Sequence, residues 1–291
     1  MARSGPAELG VPVNISAWIE EARPTLKPPV GNRMMYNGRQ FQVMIIGGPN
    51  QRDDFHVEAG EELFFQIEGD MILDVMQEGK RVGLPIKEKE IFILPVMVPH
   101  SPQRFENTIG LVIERVRRPS ERDTLRWYEK GTNKIEYQEV FYCSDLGTQI
   151  KECILRYFGM KDRGVIEGEF GFGDAEPTIH TAHPSPLSHA LKNAKSGEVT
   201  KTSYDESEFS YYVLKGVTDE VLPGIVGGDA FLWQLEGIST IEGIDKSDGG
   251  KSAMKQGEVM LLPIDAEASF KVTSGDPESV LLLVVNSEVV A

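Results

Sequence analysis

The fold of this chain is decided by three neighbouring segments, RDDFHVEAGEELFFQIEGD at residues 52–70, EIFILPVMVPHSPQRF at 90–105 and IGLVIERV at 109–116. Apolar and polar residues alternate along them, and Gly, Pro and Asp interrupt the alternation, which predicts short strands separated by turns. The same stretch holds two of the five histidines, His56 and His100. It therefore predicts an all-β structure that carries a polar site.

Three residues of this stretch, His56, Glu62 and His100, form a candidate metal site. Two imidazoles and one carboxylate suit non-haem Fe(II) and leave coordination positions open for a substrate and O2. Zinc accepts the same ligands, so composition alone leaves the metal open. A single histidine in a β-protein is usually a hydrogen-bonded core or surface residue, and a single glutamate on a strand is usually solvated. Glu58 and Glu61, in the same loop, are not assigned to the metal.

The spacing His56-x5-Glu62-x6-Gly69, followed by the Pro-flanked His100 after a hydrophobic strand, resembles the two halves of the cupin motif. The chain is also similar to the 3-hydroxyanthranilate 3,4-dioxygenase family, in its animal form with two cupin barrels. The resemblance covers roughly the first 160 residues. It rests on GNR at 31–33, GGPNQRDDFH at 47–56, EELFFQIEGD at 61–70, LPVMVPHSPQRF at 94–105 and VIERVR at 112–117.

The resemblance implies a fold, a metal and a reaction. The fold is all-β, with two cupin jelly-roll barrels, a few short helices and a degenerate second barrel. One Fe(II) per chain is held by His56, Glu62 and His100. The enzyme opens the ring of 3-hydroxyanthranilate with O2 to give 2-amino-3-carboxymuconate semialdehyde, which cyclises to quinolinate on the route from tryptophan to NAD. The alternative is a metal-binding cupin of another class, an isomerase or a small-molecule binding protein.

Two arginines, Arg52 and Arg104, each lie four residues from a candidate ligand histidine. A guanidinium can hold a carboxylate through two parallel charge-assisted hydrogen bonds, so both suggest a small anionic substrate. The resemblance assigns both to the substrate carboxylate, as substrate-binding and catalytic residues. The alternative for either one is a surface salt bridge, with Asp53, Asp54 or Glu106.

Glu114 lies on the segment VIERV between apolar neighbours. A carboxylate there can be a buried partner of Arg115 or Arg117. The resemblance instead implies that Glu114 contacts the amino and hydroxyl groups of the substrate and takes a proton, a role that a desolvated carboxylate suits. It also places Glu62 and Asn32 at the substrate, although a turn-forming role suits Asn32 equally well.

The composition sets limits on partners and compartment. The chain has 291 residues and a formal net charge of -15. This acidity argues against non-specific binding to nucleic acid or anionic membranes, because both need basic surfaces. The start of the chain lacks the apolar core of a signal peptide, and only two cysteines occur. We therefore expect a cytosolic protein, and a monomer because one chain supplies two barrels. The resemblance implies that its partners are 3-hydroxyanthranilate and O2.

The second half of the sequence repeats the first at a constant offset of 168 residues. Gln66-Ile-Glu-Gly69 aligns with Gln234-Leu-Glu-Gly237, and Ile93-Leu-Pro95 with Leu261-Leu-Pro263. We expect a catalytic cupin at 1–160, a linker at 161–177 and a degenerate cupin at 178–291. At this offset the six candidate site residues are replaced as follows: His56 by Gly224, Glu62 by Ala230, His100 by Ala268, Arg52 by Glu220, Arg104 by Val272 and Glu114 by Leu282.

The remaining elements follow from local patterns. The sequence predicts a helix at 16–23, capped by Asn14 or Ser16, and strands at 33–36, 40–46, 62–67, 71–76, 91–94 and 109–116. Helical spacing predicts a second helix at 144–158, capped by Ser144 or Asp145, which packs across the barrel. Cys143 and Cys153 are expected on one helix about 15 Å apart, too far for a disulfide.

Overall fold

Strands dominate the part of the chain that the structure, a computed structural model, describes: residues 5–166, 184–202, 207–222, 228–243, 250–264 and 269–286. The elements up to residue 164 are β1 Val13–Asn14, α1 Ile15–Ala22, a short 3-10 helix Arg23–Thr25, β2 Gly31–Asn37, β3 Phe41–Gly47, β4 Phe55–Val57, β5 Glu62–Glu68, β6 Met71–Gln77, β7 Lys80–Ile86, β8 Glu90–Leu94, β9 His100–Arg104, β10 Ile109–Arg115, β11 Asp123–Tyr128, β12 Ile135–Phe141 and α2 Leu146–Arg163.

The remaining strands and helices lie after residue 184. They are β13 Ser185–Pro186, α3 Leu187–Asn193, β14 Glu198–Thr202, β15 Phe209–Lys215, β16 Glu220–Val221, β17 Gly228–Glu236, β18 Ile238–Gly243, β19 Lys251–Lys255, β20 Glu258–Ile264, β21 Phe270–Ser274 and β22 Val280–Asn286. No helix in the described ranges combines the length and apolar character needed to cross a membrane.

Two six-stranded sheets form what we call the first barrel, with the strand orders β13-β8-β5-β10-β3-β2 and β12-β11-β4-β9-β6-β7. The second barrel consists of the sheets β1-β20-β17-β22-β15-β14 and β16-β21-β18-β19. Each barrel is therefore two facing sheets of short strands, the jelly-roll arrangement that the sequence predicted. The all-β cupin fold is confirmed.

Chain contacts divide the molecule into two compact units that interleave in sequence. One unit comprises Met1–Pro24, Met34–Val43 and Pro186–Ala291, and the other Thr25–Arg33 and Met44–Ser185. The boundaries 1–160 and 178–291 stay a prediction. Helix α2 continues to Arg163, three residues into the predicted linker, and the linker beyond residue 166 lies outside the described residues.

Both helices that the sequence predicted are present, with the expected caps. The side chain of Asn14 accepts a hydrogen bond from the backbone N–H of Ala17 at 2.9 Å, and Asp145 caps α2 by accepting from Thr148. Helix α2 runs five residues further than predicted and ends at Gly164, whose φ of 65° is readily available to glycine. The placement of Cys143 on this helix was wrong, since it precedes the cap; both cysteines are free.

The strand pairing shows the internal repeat, although the offset between equivalent residues increases slightly along the chain. Glu62 lies opposite Leu94, and Ala230 lies opposite Leu262, so the offset of 168 holds for both pairs. The offset grows later in the chain because the loops differ in length. His100 lies opposite Val75, whereas Phe270 lies opposite Gly243, 168 residues after Val75.

The register therefore corrects most of the expected counterparts in the second barrel. The counterpart of His100 is Phe270 instead of the expected Ala268. The counterpart of His56 is Leu222 instead of Gly224, because the N–H of Leu222 donates to Phe270 O. Both expected residues lie outside the described ranges. By the same reasoning, the counterpart of Arg104 is Ser274 instead of Val272, and that of Glu114 is Val285 instead of Leu282. Of the expected counterparts, only Ala230 was right. The counterpart of Arg52 stays a prediction.

Candidate active site

The three candidate ligands converge inside the first barrel. His56 on β4 lies directly opposite His100 on β9, so both rings lie on one face of their sheet, with centroids 5.3 Å apart. Glu62 opens β5 of the facing sheet. One ligand atom from each residue lies within 4.8 Å of the other two, and all three side chains are buried. Residues separated by 44 positions in sequence thus form one donor set.

The ring of His100 is held with one nitrogen free to bind a metal. Its Nδ1 lies 2.9 Å from the carbonyl oxygen of Val98, to which it donates a hydrogen bond. Nε2 therefore carries the lone pair in the neutral ring, and it lies 2.7 Å from Glu62 Oε1. That oxygen has no hydrogen bond of acceptable geometry. Only a proton or a metal cation between the two atoms relieves their repulsion, so this donor set fits a metal.

The ring of His56 is held by Asp123, a residue that the sequence did not single out. Nε2 donates to Asp123 Oδ2 at 2.7 Å, and Nδ1 lies 3.7 Å from Glu62 Oε1. Burial lowers the pKa of His56, but the hydrogen bonds and negative charges of Asp123 and Glu62 outweigh this effect and raise the pKa to about 9. The negatively charged surroundings therefore favour positive charge at His56.

A cluster of carboxylates surrounds the histidines. Glu58, which sequence reasoning left unassigned, is buried, and its carboxylate lies within 4.8 Å of those of Glu62 and Glu114. Arg117 donates to Glu58 and to Glu114. Burial raises the pKa of Glu114, only partly offset by Arg117, and the charge of Glu62 adds to the rise. Of the two partners considered for Glu114, the structure shows Arg117.

The three candidate ligands line a cavity, and every other candidate site residue lines it as well. Its polar and charged lining includes Asn32, Asn50, Arg52, Arg104 and Glu114, and its apolar lining includes Val30, Ile46, Phe64, Pro102, Val112, Leu146 and Ile150. Glu114 lies directly opposite Glu62 in the pairing of β10 with β5. A small molecule in this cavity is therefore surrounded by two arginines, two carboxylates and two imidazoles, between apolar walls.

Arg104 is the most unusual charged residue of the cavity. It is 3% exposed, and its Nη1 donates to Gln66 Oε1 at 2.8 Å, but Nε and Nη2 have no hydrogen-bond partner. Burial and the neighbouring charge of Arg52 lower its pKa to about 10. Gly110 leaves room for the guanidinium, since a Cβ there would clash with Nη1. Buried donors without partners are costly, which indicates a ligand acceptor.

Arg52 is placed differently from Arg104. Its Nε and Nη2 donate to the two carboxylate oxygens of Asp54 at 3.2 and 2.6 Å, and both side chains are buried. The ion pair with Asp54, considered from the sequence as an alternative, is therefore formed. The pair is internal rather than on the surface, and Arg52 still lines the cavity.

Helix α2 contributes more than packing. Leu146 and Ile150, one turn apart, line the cavity beside Asn32. Gly147 makes this close approach possible, because a Cβ there would lie 3.0 Å from Asn32 Oδ1. Sequence analysis identified the helix and its apolar face but gave no signal that the face borders the site.

Comparisons with known proteins identify the family of this chain. A sequence profile of the family described as 3-hydroxyanthranilic acid dioxygenase matches residues 9–158. The chain is 49% identical over 150 residues to 3-hydroxyanthranilate 3,4-dioxygenase of Xenopus tropicalis, covering 52% of this chain and 53% of that protein. It is 34% identical over 284 residues to the Xenopus laevis protein of that name, covering 92% and 95%, and 37% identical over 261 residues to the Bos taurus protein, covering 87% and 89%.

A solved structure supports the fold independently of these relatives. A cupin 2 conserved barrel domain protein from Leptotrichia buccalis superimposes with a TM-score of 0.51 at 14% identity, covering 98% of this chain and 100% of that one. At that identity the likeness concerns the fold alone. The sequence matches show that this chain belongs to the 3-hydroxyanthranilic acid dioxygenase family.

Proposed function

We propose that this chain is a 3-hydroxyanthranilate 3,4-dioxygenase that uses Fe(II). The observation that carries the proposal is the combination of a buried His-His-Glu donor set with the partnerless guanidinium nitrogens of Arg104 in one cavity. A small aromatic acid with neighbouring hydroxyl and amino groups matches both features. Its carboxylate satisfies the arginine, and its two ortho substituents approach the metal.

The metal is proposed to be bound by His56, Glu62 and His100. Three protein ligands leave positions free for other molecules, and one carboxylate with two neutral imidazoles suits ferrous iron. A ferrous ion held there would supply Lewis acidity and the electron transfer between substrate and O2. The protein keeps the rings in place through Asp123 and the Val98 carbonyl, which orient His56 and His100.

The arginines orient the substrate through its carboxylate. Arg104 has two nitrogens to offer, and a planar guanidinium holds a carboxylate in one plane as well as in place. Arg52 adds positive charge, although its own fork is already engaged by Asp54. We therefore assign the direct contact to Arg104 and a supporting electrostatic role to Arg52.

Glu114 is proposed to accept the proton of the substrate hydroxyl. Burial raises the pKa of this carboxyl, so its ionised form is a better base than an exposed glutamate. It lines the cavity directly opposite Glu62, which supports a role beside the reacting end of a substrate bound near the donor set. Asn32 and the apolar residues Leu146 and Ile150 enclose the ring from the side of α2.

The proposed reaction consumes one O2 per substrate. Both oxygen atoms enter the product, the ring bond between carbons 3 and 4 is cleaved, and 2-amino-3-carboxymuconate semialdehyde forms. This product closes to quinolinate without enzyme. We further propose that the chain acts as a cytosolic monomer, an assignment supported by its two free cysteines and by the presence of two barrels in one chain.

Oxygen uptake tests this function directly. Protein loaded anaerobically with Fe(II) is mixed with 3-hydroxyanthranilate and aerated buffer, and O2, substrate and quinolinate are followed together. We expect one O2 consumed per substrate and quinolinate appearing after a delay, with no uptake by zinc-loaded protein. Absence of uptake with iron demonstrably bound would contradict the assigned substrate. Other ortho-aminophenols and catechols would then be tested, before the isomerase and binding-protein alternatives.

A further inference from the structure

Arg117, just beyond the end of β10, is the centre of a buried network that links the donor set to the substrate side of the cavity. It is 5% exposed and donates to three carboxylates. Nη1 donates to Glu114, Nη2 to Glu58, and Nε and Nη2 to the two oxygens of Asp123 at 3.1 and 2.8 Å. Most of the donors of its guanidinium are thereby used.

Two of these carboxylates act on different parts of the proposed site. Asp123 accepts the hydrogen bond of His56 at 2.7 Å and so fixes the orientation of that ring. Glu114 lines the cavity and faces the substrate. The carboxylates of Glu58, Glu62 and Glu114 crowd within 4.8 Å, so they repel one another unless a cation lies among them. The guanidinium of Arg117 supplies positive charge to two of them, Glu58 and Glu114.

We propose that Arg117 is a positioning residue that holds Glu114 and Asp123 in one fixed arrangement, and thereby couples the orientation of the metal ligand His56 to that of the proton acceptor. This inference rests on the proposed function for its kinetic consequences but not for its effect on metal binding. Its physical basis is the shape of the guanidinium, a planar fork with five donors. A lysine ammonium is a single point of charge and cannot bridge three carboxylates in fixed directions.

Arg115 provides a matched control two residues earlier in the chain. It is 3% exposed, and its Nη1 and Nη2 donate to the two carboxylate oxygens of Glu121, both at 2.7 Å. Arg115 and Arg117 are thus both buried arginines with carboxylate partners. The difference is that Glu121 is not among the cavity-lining or donor residues.

The test compares Arg117→Lys with Arg115→Lys. Co(II) affinity of the metal-free proteins is measured by titration, followed by kcat and KM of the iron-loaded enzymes and their thermal unfolding. For Arg117→Lys we expect Co(II) affinity to fall about 10- to 100-fold, as for other groups that orient a ligand. We also expect kcat to fall by at least about 10-fold with KM for 3-hydroxyanthranilate within about threefold, because Arg104 is untouched. Arg115→Lys should stay within about twofold of wild type in Co(II) affinity, because Glu121 neither lines the cavity nor belongs to the donor set.

A second measurement keeps the proposal testable if Arg117→Lys does not fold. Glu114→Gln, Asp123→Asn and the double variant form a cycle read by Co(II) affinity, with Arg117 left in place. Because Arg117 holds both partners, their effects should be non-additive by about threefold or more.

Two results would overturn the proposal: unchanged Co(II) affinity in folded Arg117→Lys, or additive effects in the cycle. If wild-type protein binds Co(II), yet the iron-loaded enzyme consumes no O2 with 3-hydroxyanthranilate, the proposed function fails. The comparison of Co(II) affinities still decides the role of Arg117.

Discussion

The two barrels place opposite kinds of side chain at equivalent positions. Strand register identifies four such pairs: His56 and Leu222, Glu62 and Ala230, His100 and Phe270, Glu114 and Val285. In the second barrel all four residues belong to one hydrophobic cluster of buried side chains. In the first barrel all four are polar and buried, and they border a cavity. The same fold thus accommodates either an apolar core or a polar site.

This difference shows that the polar residues of the first barrel are not required by the fold. Burying ionisable groups is costly unless they are paired, whereas the apolar residues of the second barrel contribute to stability by leaving water. The first barrel reduces its cost through specific partners, Asp123 for His56 and Arg117 for Glu114. Arg104 keeps partnerless nitrogens even so. A stability cost retained at one position of a repeat, and absent from the other, indicates function.

The largest effect is expected from removing a ligand. His100→Ala should lose metal binding, and turnover should fall to background, because two protein ligands cannot hold the ion in the same way. Stability of the metal-free protein should change little, because removing the ring also removes the repulsion between its Nε2 and Glu62 Oε1. Metal content after dialysis, oxygen uptake and thermal unfolding of the metal-free form test this. Retained turnover would remove His100 from the donor set.

Glu114→Gln tests the proton acceptor. The amide keeps the shape of the side chain but cannot accept a proton in the same way, so kcat should fall about 10²- to 10⁴-fold with a smaller change in KM. Steady-state kinetics with 3-hydroxyanthranilate give both constants. Its counterpart Val285→Thr, a change of similar size in the second barrel, serves as the control and should retain kcat. A Glu114→Gln enzyme with wild-type kcat would contradict the assignment.

Arg104→Ala should act mainly on substrate binding. Losing charge-assisted hydrogen bonds to a carboxylate should raise KM roughly 30- to 500-fold, corresponding to about 2–4 kcal/mol. Arg81→Ala is the control, because Arg81 is half exposed and pairs with Asp74. A binding measurement under anaerobic conditions separates affinity from turnover. An unchanged KM would exclude Arg104 from the carboxylate contact.

The smallest effect on activity is expected in the second barrel, at the position equivalent to His100. Phe270→Ala should lower the free energy of unfolding by about 3–5 kcal/mol, because it leaves a cavity in an apolar core. Metal content and kcat, measured well below the unfolding temperature, should stay within about twofold of wild type. Denaturant unfolding and metal analysis check both halves of this expectation. Loss of metal at unchanged stability would contradict the view that the second barrel has an apolar core and no metal site.

Much of the strand pattern could be predicted because alternation and turn residues are local signals. Sequence analysis did not identify the strands β4, β7, β9, β11 and β12 of the first barrel. Strand β4 has only three residues, too few for alternation to identify it. Strand β7 is largely exposed along its length, and β9 contains Pro102 and begins with His100. Their positions are set by pairing with neighbouring strands, which depends on tertiary structure.

The candidate donor set could be predicted from motif spacing, but its supporting residues could not. Asp123 lies outside the motif halves, and nothing in its local sequence distinguishes it from a surface charge. Arg117 was considered only as one of two possible partners of Glu114, with no link to the donor set. Asp123 reaches the site because β11 pairs with β4, which brings it beside His56. The change in offset between the two repeats was also not predictable from local sequence, since loop lengths vary while the strand register is kept.

Metal stoichiometry tests the central claim most directly. Wild-type protein, Phe270→Ala and His100→Ala are loaded anaerobically with Fe(II), freed of unbound iron and analysed for iron per chain. A site confined to the first barrel predicts one iron in wild type, one in Phe270→Ala and none in His100→Ala. Two irons in wild type, or one that persists in His100→Ala, would contradict the account.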